Sequence, residues 1–236
     1  MLRRCRFNFA HRRANTLNFC PHEPVEGNSL VYFDITTERK SLGRVTIELF
    51  NDEVPRTAEN FRSLCTGERG KGDGFPLYYK GIPFHRIVPG FAVIGGDVRF
   101  KDGRGTTSIF GYPFPDESFE GKAGKNLCGT LAMSGNGPDS NGSQFFFNVT
   151  DSPHLDGRFV VFGQVVTGWD TVLEVAQMGS RCGTPLQKVW IADCGQCGGA
   201  KYENVLEIPS DPANFEMGGK EVLEMLQPRD QYRGRK

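Results

Sequence analysis

A single arginine interrupts an apolar stretch of the sequence, FHRIVPGFAVIGGD at residues 84–97. Burying a guanidinium without a partner is costly, so Arg86 must be paired, solvated or held for chemistry. As a permanently charged group with five N–H donors, it suits donation to an atom that gains an electron pair during a reaction. An ion pair, with Asp97 or with a partner on a neighbouring strand, is the structural alternative. A remnant of a site that no longer works is the third.

The seven cysteines and four histidines offer other chemistry. The cysteine number is odd and no secretory apolar segment precedes them, which favours reduced thiols over a disulfide framework. Cys194 and Cys197 form a C-x-x-C pair, but no βαβ pattern surrounds it, and a zinc site would need two further ligands. We therefore predict no metal site. His85 adjoins Arg86, so strand alternation directs the two side chains to opposite faces and favours a structural role for the histidine.

Composition and charge argue against several broad classes of protein. The formal net charge is zero, so no overall field attracts the chain to nucleic acid or lipid. No run of roughly 18 apolar residues is present, which predicts no membrane-spanning helix. The glycine-rich run at 70–74 lacks the strand and helix that a nucleotide-binding loop needs, and no cofactor is expected.

The elements that must position these residues are mostly short strands. Residues 30–36 and 44–50 are β-rich, and the second segment alternates between apolar and polar side chains. Helices are predicted at 54–65, with Pro55 in the first turn, and at 168–178. Many short strands with two helices favour a sandwich or a barrel. The further strand candidates, separated by glycine and proline, are residues 84–88, 91–95, 127–133, 144–149, 159–165 and 188–194.

Seven motifs follow one another along the chain: PRTAENFRSLCTGE, FHRIVPGF, GGD, SIFG, MSGNGPDSNGSQFFF, LDGRFVVFGQV and IADCGQ. In this order they resemble the cyclophilins, the cyclosporin-binding class of peptidyl-prolyl cis–trans isomerases, over about residues 29–198. The resemblance implies a mainly all-β fold, an eight-stranded antiparallel closed β-barrel capped by two α-helices. A hydrophobic groove on one face would bind proline-containing protein segments. The additional residues at 69–80 resemble the longer loop of divergent-loop cyclophilins.

The resemblance also assigns roles to individual positions. Arg86 takes the place of the catalytic arginine, which donates to the proline nitrogen as the X–Pro bond twists. Cys65 and Cys194 match a cysteine pair of plant-type divergent-loop cyclophilins in which oxidation affects activity. With Cys197 they are candidate redox residues, and free buried thiols are the alternative. The remaining matches are the proline pocket (Phe91, Phe146 and Leu155), a polar groove contact (Gln144) and the adjoining loop (Gly103).

Several groove positions depart from the family pattern. Ile94 replaces the glutamine that orients the arginine, and Ala92 replaces a methionine and removes volume from the proline pocket. Asn136 lies one step from a lost asparagine and is a candidate substitute for it. We therefore predict weakened isomerase activity and weak cyclosporin binding. The other replacements are Gly135 for that asparagine, His154 for a tryptophan and Phe159 for a histidine.

Two extensions flank the predicted domain at 29–198. Residues 1–28 form a basic N-terminal extension, and its acid-free, arginine-rich start fits either an organelle presequence or a docking arm. Residues 199–236 form a polar tail, either loose or an attachment arm, with a short helix predicted at 220–227. The alternative function is thus a catalytically impaired structural subunit that joins a larger assembly through both extensions. We expect an intracellular location, mitochondrial in preference to cytoplasmic.

Overall fold

The computed structural model describes Phe19 and residues 24–198. The other residues of the predicted N-terminal arm and the predicted tail with its helix at 220–227 lie outside the described residues. The first strand begins at Ser29 and the last ends at Gln196. Among the described residues, no helix combines the length and the apolar character needed to cross a membrane.

Short strands dominate the described part of the chain, as its composition predicts. The strands are β1 (Ser29–Thr37), β2 (Ser41–Leu49), β3 (Lys71–Gly72), β4 (Phe75–Pro76), β5 (Arg86–Val88), β6 (Ala92–Gly95), β7 (Thr130–Met133), β8 (Phe145–Asn148), β9 (Val161–Thr167) and β10 (Val189–Gln196). The helices are α1 (Pro55–Thr66) and α2 (Trp169–Gln177), and short 3₁₀ turns cover Gly121–Gly124 and Pro153–Leu155.

Eight strands form one antiparallel sheet in the order β10-β1-β2-β9-β7-β8-β6-β5. The chain just before β5 then pairs with β10 at the other end of the sheet. The N–H of Phe84 donates to the carbonyl of Val189 at 3.0 Å. The N–H of Ile191 donates to the carbonyl of Ile82 at 3.1 Å. These bonds join the two ends of the curled sheet, and the predicted eight-stranded antiparallel barrel with two helices is confirmed.

The core follows from the alternation of side chains along β1. Val31, Phe33 and Ile35 point inward and are buried, as the two-residue period of a strand requires. The ring of Phe33 meets that of Phe61 on α1 at 5.7 Å and that of Phe145 on β8 at 5.6 Å between centroids. Such ring contacts contribute about 0.5–1.5 kcal/mol each beyond their buried area. This aromatic cluster fastens α1 to the barrel.

Helix α1 begins and ends at residues suited to those positions. Pro55 occupies the first turn, where its missing N–H costs no hydrogen bond. The carboxylate of Glu117 accepts the N–H groups of Arg56 at 2.9 Å and Thr57 at 2.8 Å, which satisfies two free donors of the first turn. Gly67, with a φ of 69°, ends the helix in the left-handed conformation.

Two segments differ from the sequence prediction. The glycine-rich loop predicted after α1 contains the two-residue strands β3 and β4, because Asp73 and Gly74 adopt positive φ angles of 47° and 86° that suit a tight hairpin turn. The strand predicted at 127–133 begins only at Thr130. The carbonyl of Leu127 accepts the N–H of Thr130 at 3.1 Å and closes a turn at that point.

Candidate active site

Arg86 begins β5 and lies at one end of a row of paired residues. In the strand register it faces Ile94 of β6, and Ile94 faces Phe146 of β8. Side chains at paired positions project from the same face of a sheet, so these three side chains share one surface. Arg86 is exposed, Ile94 is half-buried and Phe146 is buried. The charge therefore lies at the rim of an apolar strip.

Asp97 does not pair with Arg86, so the ion pair considered from the sequence is wrong. The fully buried Asp97 carboxylate instead organises the loop that follows β6. Burial on its own raises the pKa of Asp97, but hydrogen bonds from the loop backbone outweigh it, and the pKa lies below its ordinary value. Within the described residues, the Arg86 guanidinium forms no hydrogen bond or ion pair. The N–H groups that Asp97 accepts, at 2.9–3.2 Å, belong to Arg99, Phe100, Asp102, Gly103 and Gly105.

Gln144 connects the same loop to the barrel through two hydrogen bonds. Its side-chain amide donates to the carbonyl of Gly103 at 3.0 Å and to that of Gly105 at 2.6 Å. Because both amide protons are used, Oε1 is the atom of Gln144 that can accept a hydrogen bond from a bound peptide. Gly103 has a φ of 93°, and a Cβ there would lie 2.6 Å from Cδ2 of His85. Burial lowers the pKa of His85, which leaves this ring neutral and structural at neutral pH.

The predicted proline pocket contains two aromatic pairs. Phe91 and His154 stack with 5.8 Å between ring centroids and 21° between ring planes. Phe146 and Phe159 meet edge to face at 5.5 Å and 89°. Leu155 packs against the core from the 3₁₀ turn that also carries His154. Flat apolar rings of this kind provide a surface on which a proline ring packs.

Ala92 and Gly135 provide less side-chain volume than the family residues at their positions. Ala92 lies on the same face of β6 as Ile94 and is buried. Gly135 lies against Ser140, because a Cβ at Gly135 would be 2.5 Å from the serine hydroxyl oxygen. A hydrogen bond of 2.6 Å to the loop backbone holds that hydroxyl. An asparagine at position 135 would therefore displace Ser140, whereas Asn136 is exposed beside it.

Gly183, in the turn between α2 and β10, touches the stem of Arg86. It has a φ of 92°, and a Cβ there would lie 2.9 Å from Cγ and 3.0 Å from Nε of the arginine. The carbonyl of Gly183 also accepts the N–H of Ile87 at 2.8 Å. Sequence analysis did not identify this residue. A glycine in a turn is the only sequence signal, and no short-range pattern connects it to Arg86.

The candidate redox cysteines are shielded from solvent to different degrees. Burial raises the pKa of Cys65 well above its ordinary value and that of Cys194 to about 12. Cys197 is half-buried, and burial raises its pKa as well. All three are free thiols, and protonated thiols are poor nucleophiles. Their redox role stays a prediction. Cys182, to which sequence analysis gave no role, is exposed, and a hydrogen bond with Ser180 lowers its pKa to about 7.

The candidate site combines hydrogen-bonding groups with apolar surface. Arg86 supplies N–H donors, Gln144 supplies an acceptor, and the aromatic pairs supply apolar surface between strands and turns. Among residues 24–198, no group of three or more His, Cys, Asp or Glu side chains is placed to hold a metal ion. The arrangement can bind an extended chain, hold an apolar ring and donate a hydrogen bond beside it.

Comparison with known proteins agrees with the fold and the motifs. Residues 32–196 match the family model of the cyclophilin type peptidyl-prolyl cis-trans isomerase/CLD. The chain is also 48% identical over 186 residues to peptidyl-prolyl cis-trans isomerase cyp11 of Rhizopus delemar. That alignment covers 77% of this chain and 52% of the relative, so the chain spans about half the length of the curated protein that it matches. The chain therefore belongs to the cyclophilin-type peptidyl-prolyl cis–trans isomerase family.

Proposed function

We propose that the chain is a peptidyl-prolyl cis–trans isomerase that acts on X–Pro bonds in protein segments, with weakened turnover. One observation carries the proposal: Arg86 stands at the rim of an apolar strip and faces the aliphatic side chain of Ile94. The donor group of Arg86 and the apolar strip are the two features that an isomerase needs. The aliphatic side chain of Ile94 weakens turnover because it cannot bind the guanidinium.

The chemistry requires no covalent intermediate. Rotation about an X–Pro bond is slow because amide resonance opposes it, with a barrier of about 18–20 kcal/mol. A catalyst must bind the twisted bond more tightly than either planar form. The proline nitrogen regains its lone pair in the twisted bond, and an N–H of Arg86 donates to that pair while the aromatic pocket holds the ring. A preorganised donor contributes about 2.7–4 kcal/mol, by analogy with an oxyanion hole.

Weakened turnover follows from the way the donor is held. Ile94 has no polar atom that could fix the guanidinium, and no hydrogen bond from another described residue replaces it. A catalytic group displaced by about 1 Å can lose on the order of 100-fold in rate. We infer that Arg86 spends part of its time away from the position that meets the proline nitrogen.

A proline-peptide isomerisation assay on the full chain tests this proposal. We expect detectable turnover in the wild type and a loss of roughly 10- to 100-fold in Arg86→Ala, because a poorly held donor contributes less than a preorganised one. Arg39→Ala removes an exposed arginine from the β1–β2 turn and is the matched control, with unchanged turnover. Equal rates in the wild type and Arg86→Ala would remove the arginine from the mechanism. Wild-type turnover equal to that of a cyclophilin with the usual glutamine would refute the weakening.

Two expectations from the sequence accompany this proposal. We infer weak cyclosporin binding, because His154 takes the place of a larger tryptophan ring beside Phe91. A higher cyclosporin affinity of His154→Trp than of the wild type, measured by calorimetry, is the expected result. An intracellular, mitochondrial location stays a prediction from the basic composition of residues 1–22.

A second candidate function is that of a catalytically impaired structural subunit. The unsupported guanidinium of Arg86 favours it as well, because a docking surface needs no preorganised donor. Turnover separates the two functions, since only an isomerase loses activity in Arg86→Ala. A wild-type chain without turnover that migrates in a defined larger assembly on size exclusion would support the structural subunit.

A further inference from the structure

Phe19 is held against the barrel by two residues that are distant in the sequence. Its ring stacks on the indole of Trp169, with 4.7 Å between centroids and 15° between planes. It also lies over Gly129, where an added Cβ would be 2.5 Å from Cδ2 of the phenylalanine. Phe19 is half-buried and packs against the hydrophobic core. We call the surface formed by Gly129 and Trp169 the aromatic slot.

The barrel fixes both residues of the aromatic slot through its backbone. Gly129 has a φ of 87°, donates its N–H to the carbonyl of Asn148 at 2.8 Å and accepts the N–H of Val165 at 2.9 Å. Trp169 is the first residue of α2 and follows Gly168, which has a φ of 82°. A Cβ at Gly168 would lie 2.1 Å from a carbonyl oxygen of β2. Because side chains are excluded at both glycines, the backbone itself shapes the slot.

Trp169 depends on its neighbour for burial. The residue is only 6% exposed, and Phe19 covers one face of its ring. Its indole N–H is buried and has no acceptor among the described residues. Removing the phenylalanine would return an aromatic face to water, which is unfavourable in proportion to the apolar area exposed.

The chain between Phe19 and the first strand is long enough for this contact to form within one molecule. The N–H of Val25 donates to Oε1 of Glu48 on β2 at 2.9 Å. In the strand register, Glu48 pairs with Gln164 on β9, which pairs with Thr130 on β7, next to the slot glycine. Two strand spacings amount to about 10 Å. The six residue steps from Phe19 to Val25 reach up to about 20 Å when extended.

We propose that the aromatic slot is a docking site for the N-terminal extension of the same chain, with Phe19 as the anchoring side chain. The inference is independent of the isomerase activity, because neither slot residue belongs to the groove. It has a consequence for any protein that recognises the extension through Phe19. Such a partner must first displace the ring from Trp169, so the slot competes with recognition of the extension.

Tryptophan fluorescence of the full chain tests the anchor. The sequence contains two tryptophans, so the background Trp190→Phe leaves Trp169 as the single reporter. In that background we expect Phe19→Ala to shift the emission to longer wavelength and to lower Tm by roughly 3–8 °C. Phe19→Leu, which keeps apolar volume without stacking, should shift the emission by an intermediate amount.

A matched control and a rescue complete the experiment. Phe9→Ala removes the same side chain from the same extension and should leave emission and Tm unchanged. A synthetic peptide of residues 15–23, added in excess to the Phe19→Ala chain, should shift the emission back, and the same peptide with alanine at position 19 should not. Unchanged emission and Tm in Phe19→Ala, or equal effects of Phe9→Ala, would overturn the proposal. A wild-type dimer that dissociates in Phe19→Ala would overturn docking within one chain.

Discussion

The two walls of the groove are built in opposite ways. On one wall, the Asp97 carboxylate accepts five backbone N–H groups and Gln144 donates to two carbonyls, so the loop at 97–105 is fixed by hydrogen bonds. On the other wall, Arg86 forms no hydrogen bond or ion pair within the described residues and contacts Gly183 only by packing. Hydrogen bonds define a geometry narrowly, whereas packing on an exposed side chain leaves rotamers open.

This contrast separates binding from catalysis. Under the proposed function, the fixed wall and the aromatic pocket would contact the peptide in its planar ground state as well as in its twisted state, and such uniform contacts lower KM without raising kcat. In the same proposal, Arg86 would act on the twisted bond alone, so its looseness would reduce kcat. We therefore expect the looseness at Arg86 to lower kcat and to leave KM little changed.

Removal of the Asp97 carboxylate should have the largest effect, which is a loss of folding stability. Asp97→Ala removes a fully buried carboxylate and leaves five backbone N–H groups without their acceptor, and we expect a loss of more than about 3 kcal/mol in the free energy of unfolding. Asp102→Ala is the control on the same loop, because its ion pair with Arg104 is exposed to solvent and contributes little to stability. Urea denaturation measures both. Equal losses in the two variants would show that the carboxylate does not organise the loop.

The same carboxylate predicts a pH dependence of stability. The pKa of Asp97 in the folded chain lies below its ordinary value of 3.8, so the unfolded chain binds the proton more tightly. The stabilisation is complete above the unfolded pKa and disappears as the pH falls through the folded pKa. We expect the difference in unfolding free energy between the wild type and Asp97→Asn to shrink on acidification below about pH 4. A difference in unfolding free energy that stays constant from neutral pH to below about pH 4 would contradict this prediction.

Restoring a polar partner for Arg86 should have the next largest effect. Ile94 faces the arginine in the strand register, so the amide of Ile94→Gln lies where it can bind the guanidinium. We expect kcat to rise roughly 10-fold with little change in KM, because a better-positioned Arg86 stabilises only the twisted X–Pro bond. Ile94→Leu keeps the apolar volume and should not raise kcat. An equal gain in both variants, or a gain that survives Arg86→Ala, would show that the arginine is not the group being positioned.

The residues of both walls are predicted from the sequence, but the contacts that fix those residues in place are not. Alternation along β1 and the apolar stripe of α1 indicate buried faces, and both elements form where predicted. Motif order predicts one groove for Arg86, Gln144 and Phe146, and the sheet register places Arg86 and Phe146 in one row across the sheet. The buried faces of β1 and α1 can be predicted because burial requires apolar residues at a regular spacing along the sequence.

Other features depend on backbone groups and leave no such period. The sequence offers Asp97 as an ion-pair partner of Arg86. Asp97 binds loop N–H groups instead, which every residue type except proline provides. The contacts of Gly183 with Arg86 and of Gly129 with Phe19 arise where a side chain is absent. These close contacts form only when the strands have assembled, so they cannot be predicted from a single sequence.

The smallest expected effect comes from the packing contact at Gly183. A Cβ at this position would lie 2.9 Å from Cγ and 3.0 Å from Nε of Arg86, so Gly183→Ala should push the arginine away from the groove. We expect kcat to fall several-fold while KM changes little, because the fixed wall is untouched. The Nε–H signal of Arg86 in a nitrogen–proton NMR spectrum should move in the same variant and reports the displacement directly.

The control for this prediction must carry the same backbone strain without the contact. Gly111 has a φ of 83°, close to the 92° of Gly183, and a Cβ there would meet nothing within 4 Å. Gly111→Ala should therefore lower stability by a similar amount and leave both kcat and the Arg86 signal unchanged. If the two variants lose turnover equally, strain alone explains the loss. If Gly183→Ala loses turnover while the Arg86 signal stays in place, the glycine acts by another route. A selective loss with a displaced signal would show that a turn far along the chain substitutes, weakly, for the missing glutamine.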